Sequence, residues 1–128
     1  MACIKETLRF DPPANDVFPR TSPPTGYTLT DGTFIPPGVA VGTNPWSNNR
    51  DPAVFGPDAD EFRPGRWLDQ DKEKVRDMER FNNTFGFGPR ICLGKELAEQ
   101  ELNIFLKRFW EEFEVKYGKS KLFFKIRL

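Results

Sequence analysis

The stretch F-G-F-G-P-R-I-C-L-G, Phe85 to Gly94, carries the side chain best suited to chemistry, the thiol of Cys92. A thiol just ahead of a helix N-terminus sits in the field of the helix's free amides, which favours the thiolate. Arg90 lies two residues earlier and adds charge of the same sign. Gly88 and Gly94 are expected to adopt backbone conformations that other residues resist, and to leave room for something flat or bulky to approach. Pro89 stiffens the loop. The residues alone leave two readings open. One is a thiolate presented to a partner on a rigid, exposed loop. The other is a buried, inert cysteine in a Gly-rich turn. Nucleophilic catalysis has little support, because the chain contains no histidine to act as base. The same absence removes the zinc sites that use histidine. Cys3 and Cys92, the only thiols, cannot complete a zinc site between them, and they could pair only once.

A second group is ionic. Glu6 and Arg9 stand three residues apart, so on a helix they share a face. They could be a surface ion pair of little consequence. Yet Phe10 and two prolines follow Arg9 closely, which points to a packed helix end, and a buried pair needs further partners to offset its desolvation. Arg66, in R-P-G-R-W, is a candidate third member.

The elements that must position these groups fall into three parts. Residues 1 to about 10 read as a helix, with Ile4 and Leu8 on one face and Pro12-Pro13 as its stop. Residues 14 to 68 read as strands, turns and loops. Tyr27–Leu29 and Thr33–Ile35 flank Asp31-Gly32 as a hairpin, and Val39 to Val41 continues as a third short strand. Asn44-Pro45-Trp46 opens a turn or short helix, and a proline-punctuated coil follows. Residues 70 to 80 are mostly charged and read as a solvated excursion. From Lys95 to Glu114 apolar residues recur at steps of three and four through Ala98, Leu102, Phe105, Phe109 and Phe113, which predicts a helix. The last stretch, L-F-F-K-I-R-L, reads as a terminal strand.

Composition narrows the function. A chain of 128 residues with zero formal net charge offers no electrostatic case for nucleic acid or an anionic membrane. No apolar run is long enough to span a bilayer, and the N-terminus lacks the pattern of a signal peptide. The 13 phenylalanines outnumber the 3 tryptophans and 2 tyrosines together, which points to flat, bulky packing surfaces more than to a small self-contained core.

Phe85, Gly88, Arg90, Cys92 and Gly94 match every fixed position of F-x-x-G-x-R-x-C-x-G. This resembles the haem-binding loop of the cytochrome P-450 (haem-thiolate monooxygenase) family. The likeness runs on into G-K-E-L-A-E-Q-E, where Leu97, Ala98 and Glu101 suit the family. K-E-T-L-R resembles its E-x-x-R motif with Glu6 and Arg9, and F-R-P-G-R-W resembles its P-E-R-F region with Arg66. The segment N-R-D-P-A-V-F-G-P-D-A-D-E-F has the flavour of eukaryotic, and in particular fungal, members.

The resemblance implies an α+β arrangement. It comprises the end of the E-x-x-R helix, a small hairpin sheet, a meandering coil, the Cys-ligand loop and a long helix backing the haem. It implies haem b with Cys92 as axial thiolate. Arg90 and Arg20 would pair with the haem propionates. Phe85 would pack beside the thiolate, Gly88 and Gly94 would let the loop lie against the porphyrin, and Ala98 would line the same site. Glu6, Arg9 and Arg66 would form a structural charge network, so no residue of this chain is expected to be catalytic. The full enzyme would insert one atom of O2 into an organic substrate with electrons from a reductase.

Departures from the family pattern shape the expectation too. Asn49 stands where the family often has His, and P-E-R-F has become P-G-R-W. The family's central helix, its N-terminal sheet and any membrane anchor have no counterpart here. Residues 1–128 are therefore expected to be a single partial domain, a C-terminal portion of the fold. The alternative is a non-catalytic haem-binding or interaction fragment, or an inactive remnant. Eukaryotic relatives are usually held at the endoplasmic reticulum by an N-terminal segment. None is expected in this chain, so its own localisation is unread.

Overall fold

Helix α1, Ala2–Phe10, opens the chain in the computed structural model, which describes residues 1–68, 71–117 and 122–126. The helix stops where expected. The Asp11 amide still donates to the Thr7 carbonyl at 2.8 Å, but Pro12 follows and disfavours helical backbone at the residue before it. The contacts divide the chain into two units, Ala2–Arg90 and Ile91–Leu128 with Met1.

In the first unit α1 is followed by four two-residue strands: β1 Arg20–Thr21, β2 Tyr27–Thr28, β3 Phe34–Ile35 and β4 Ala40–Val41. The hairpin forms as its turn residues dictate, with Tyr27 opposite Ile35 and Thr28 opposite Phe34, antiparallel. The third strand does not extend that hairpin. β4 pairs antiparallel with β1 instead, Arg20 opposite Val41 and Thr21 opposite Ala40. Ser22 fastens this pairing, its hydroxyl donating to the Pro36 carbonyl and accepting from the Val39 amide.

Two short helices follow the strands, and each begins with the same device. In α2, Pro45–Asn48, the Asn44 side chain accepts from the Trp46 and Ser47 amides. In α3, Pro52–Phe55, the Asp51 side chain accepts from the Ala53 amide. A capping oxygen followed by proline satisfies amides that the first turn leaves free, at a position where proline needs no donor. An irregular coil then leads to a 3-10 turn at Pro64–Trp67.

The charged stretch after it is not a solvated excursion. It forms α4, Lys72–Phe81, capped by Asp71, and it drives Met78 into the core with only 1% of its surface exposed. The core of this unit is Phe55, Ala59, Trp67 and Met78, with Ala2, Val54 and Val75 packed against it. Val75 and Met78, three apart, place one stripe inward while the charges face water.

The second unit is α5, Lys95–Glu112, followed by β5 Phe113–Tyr117 and β6 Leu122–Ile126. The helix ends two residues before the expected Glu114, because Phe113 already has extended backbone. The two strands pair antiparallel from Phe113–Ile126 to Tyr117–Leu122. The terminal strand is thus present, although its expected last two residues, 127 and 128, lie outside the described residues. The Phe105, Phe109 and Phe113 rings stack in series, with centroids 5.9 and 5.1 Å apart. None of the α5 side chains is fully buried, so the apolar stripe does not build a core here. Helices mixed with small antiparallel strands make this an α+β chain. Among the described residues no helix is long and apolar enough to cross a membrane.

Candidate functional site

Glu6, Arg9 and Arg66 come together in the first unit, each with no exposed surface. Arg9 Nε and Nη2 donate to the two Glu6 carboxylate oxygens, both at 2.9 Å. Arg66 Nε donates to Glu6 Oε1 at 2.9 Å, and Trp67 Nε1 to Oε2 at 2.9 Å. The Arg63 amide adds a further bond to Oε1 at 2.7 Å. Burial by itself would raise the Glu6 pKa. The hydrogen bonds from Arg9, the Arg63 amide, Arg66 and Trp67 outweigh it and hold the carboxyl down to about 2.

The remaining N–H groups of both guanidiniums face backbone carbonyls and Asp58. Arg9 reaches the carbonyls of Asn49, Ala59 and Glu61 at 2.6, 2.7 and 3.0 Å. Arg66 reaches those of Phe55, Asp58 and Glu61, and the Asp58 carboxylate at 3.1 Å. All the donors of each guanidinium are therefore used, which is the condition under which buried charges hold rather than disrupt. Asp58 is also held below the usual carboxylate range: burial opposes this, and its bonds to Arg63 and Arg66 prevail. The coil between α3 and the 3-10 turn has no ladder partners, so the arginines supply the donors its carbonyls need.

A polar chain leads from this cluster to the stem of the Cys92 loop. Asn49, fully buried, accepts the Arg9 bond on its carbonyl. Its Oδ1 accepts from the Asn83 amide at 2.7 Å, and its Nδ2 donates to Thr84 Oγ1 at 3.1 Å. The Thr84 hydroxyl lies 2.8 Å from the Leu8 carbonyl and 2.6 Å from Asn82 Oδ1. Asn83 Nδ2 donates to Thr43 Oγ1 at 2.9 Å. Asn83 Oδ1 is buried and is the one such side-chain atom among the described residues without a hydrogen-bond partner. Asn49, Asn83, Thr84, Asp58 and Trp67 were not singled out by sequence reasoning. They are polar or aromatic residues in irregular segments, where no periodicity marks burial. The departures from the family pattern at Asn49 and at Trp67 in P-G-R-W were the available signals.

The loop itself is exposed from Phe87 to Gly94, and Phe85 is half-buried. The first unit holds Phe85, the 3-10 turn Gly88–Arg90 and the exposed Arg90. Gly88 has the left-handed backbone expected of it, with φ +63°, and so does Gly86, at +75°. Gly94 does not. Its φ is −84°, a value open to any residue, and it caps the N-terminus of α5. A Cβ there would sit 3.8 Å from Cys92 Sγ, an ordinary contact. Gly94 is thus not required for conformational freedom. Cys92 is exposed and free, as is Cys3, which removes the buried, inert reading. Ala98, half-buried, donates its amide to the Gly94 carbonyl at 2.9 Å in the first turn of α5. Arg20 lies on β1, away from the loop in sequence. Its exposed guanidinium donates to the Pro19 carbonyl at 2.9 Å.

These residues fit haem. Among the described residues no group of three or more His, Cys, Asp or Glu side chains could hold a bare ion. Haem iron brings the porphyrin nitrogens with it and asks the protein for little more than one further ligand, a role within the chemistry of a single free thiol. A Cβ on Gly88 would meet nothing within 4 Å, so the backbone there is open to close approach. Ile91, Leu93 and Leu97 expose apolar surface around the thiol in sequence, suited to a flat apolar ring.

Comparison with known proteins identifies the family. The family model described as cytochrome P450 (P-450 below) matches residues 1–125. The chain belongs to the cytochrome P-450 family. It is 40% identical over 115 residues to the cytochrome P-450 monooxygenase esdpH of Penicillium shearii, covering 90% of this chain and 23% of that protein. It is 46% identical over 101 residues to a cytochrome P-450 monooxygenase of Aspergillus flavus, covering 79% of this chain and 19% of the relative. Among solved structures, the retinoic acid-bound cyanobacterial CYP120A1 matches 94% of this chain and 27% of its own, with TM-score 0.76 and 27% identity. The chain thus spans about a fifth of the length of these fungal relatives.

Proposed function

We propose that this chain binds haem through the thiolate of Cys92, as part of a monooxygenase that places one atom of O2 into an organic substrate with electrons from a reductase. The observation that carries the reading is the free, exposed Cys92 thiol in a loop whose Gly88 leaves its approach open. The fungal relatives are named monooxygenases, which supports the activity. When bound, haem supplies oxygen activation, and a thiolate ligand favours O–O cleavage by donating electron density.

The chain's own residues bind and orient. Cys92 ligates iron. The exposed cations Arg90 and Arg20 pair with the propionates. Phe85 packs beside the thiolate, and Gly88 lets the backbone lie against the ring. Gly94, with no side chain of its own, lets the far end of the loop lie against the ring too, and Ala98 adds a small apolar contact. Glu6, Arg9 and Arg66 hold the coil and the loop stem in place.

The test is a haem titration of the chain, reduced under carbon monoxide, with Cys92→Ala beside it. The reading expects a strongly red-shifted Soret band in the wild type and none in the variant. A band that survives in Cys92→Ala, or is absent from both, overturns it.

A further inference from the structure

The geometry points to Asn49 as a positioning residue for the Cys92 loop: its side-chain amide fixes the Asn83–Thr84 stem from which the loop leaves the buried charge cluster. The inference rests on the haem-thiolate reading above. Asn49 is held through its carbonyl by Arg9 Nη1 at 2.6 Å, so the charge cluster sets its place. Its side chain then uses both functions on the stem, the acceptor on the Asn83 amide and the donor on the Thr84 hydroxyl. The stem carries the loop's first turn, because the Gly86 amide donates to the Asn83 carbonyl at 3.2 Å. Beyond it, Phe87 to Arg90 are exposed, and the backbone is left-handed at Gly86 and Gly88. The direction in which the loop sets out is therefore decided at the stem.

The stem is also finely balanced. Asn83 Oδ1 is already buried without a partner. Removing Asn49's side chain would orphan the Asn83 amide as well, and a buried residue with two unmet polar groups gains by opening to water. The backbone bond from Arg9 to Asn49 survives such a change, so the charge cluster is left intact.

The experiment compares wild type, Asn49→Ala, Thr84→Val, Thr84→Ser and Ser22→Ala in the whole chain. Ser22 serves as the control, since it fastens β1 to β4 and makes no bond to the stem. The first readout needs no haem: amide hydrogen exchange at Asn83 and Gly86. Asn49→Ala and Thr84→Val should exchange at least about tenfold faster there, with Thr84→Ser and Ser22→Ala near wild type. The second readout is the Soret band of the reduced, carbon monoxide-bound chain at saturating haem. The same two variants should shift intensity away from the thiolate band, and Thr84→Ser should retain it. Should Asn49→Ala fail to fold, Thr84→Val carries the same test. Wild-type exchange and spectra in both variants overturn this inference alone. So does an equal response from Ser22→Ala. Absence of a thiolate band in the wild type overturns the haem reading and, with it, the role assigned to Asn49.

Discussion

Replacing Glu6 by glutamine keeps the side chain's length and takes away one charge and one acceptor. The consequence can be worked out bond by bond. Oε1 accepts from Arg9 Nη2, Arg66 Nε and the Arg63 amide, and Oε2 accepts from Arg9 Nε and Trp67 Nε1. Whichever oxygen becomes NH2, it faces either three donors or two. Neither orientation of the amide satisfies the cluster. The two guanidiniums stay buried with Asp58 as their remaining carboxylate, and Asp58 bonds only Arg66 of the pair. Removing one partner of a buried ion pair costs about 3–5 kcal/mol, against a total stability of about 5–15 kcal/mol for a domain. With a urea slope of about 2 kcal/mol per molar, the unfolding midpoint should fall by about 2 M. Tryptophan fluorescence reports it, because Trp67 is 6% exposed and bonded to Glu6, while Trp46 and Trp110 already face solvent. A fall of less than about 0.5 M would refute the claim that the carboxylate neutralises the cluster.

Four further outcomes follow from the same structure. Arg66→Lys keeps the charge but cannot reach the carbonyls of Phe55, Asp58 and Glu61 together, so it should cost about 2–3 kcal/mol in urea unfolding. Because the Glu6 carboxyl is held from 4.5 to about 2, the folded chain binds that proton less readily than the unfolded one. Its contribution to stability is whole above about pH 4.5 and drains away as pH falls toward 2, with Asp58 acting in the same direction; urea midpoints across that range should show the slope, and Glu6→Gln should flatten it. Met78→Ala should lower stability by about 2–5 kcal/mol by calorimetry, where a solvated α4 would predict almost nothing. Cys92→Ala, at an exposed position, should leave the urea midpoint within the equivalent of about 0.5 kcal/mol of wild type while abolishing the thiolate Soret band.

What could be read from the chain follows a physical line. The first helix, the hairpin at Asp31-Gly32 and the long helix from Lys95 announce themselves through spacing and turn residues, which act locally. Glu6 and Arg9 were legible by their helical separation, and Arg66 through its motif. Met78 was obscured because two inward positions, Val75 and Met78, stand among eight mostly charged neighbours in α4. The pairing of β4 with β1 was hidden because two-residue strands carry no alternation to read. Gly94 misled for a different reason: a glycine beside a thiol invites a conformational explanation, and its backbone turns out to need none. Asn49 showed only as a departure from the family pattern and Thr84 not at all, because their bonds join residues 34 and 35 positions apart in the chain, a separation no local pattern encodes.

The arginines that cap the coil's carbonyls have a consequence for how this segment tolerates change. Between α3 and the 3-10 turn, the path of the backbone is dictated by Arg9 and Arg66, neither of which lies within the coil's interior. Exposed coil side chains such as that of Pro57 are therefore open to wide replacement. The number of residues is not. Adding or deleting one would slide Phe55, Asp58, Ala59 and Glu61 out of step with fixed guanidinium forks. At such exposed positions the segment is permissive in composition while its length is strict, the reverse of an ordinary surface loop.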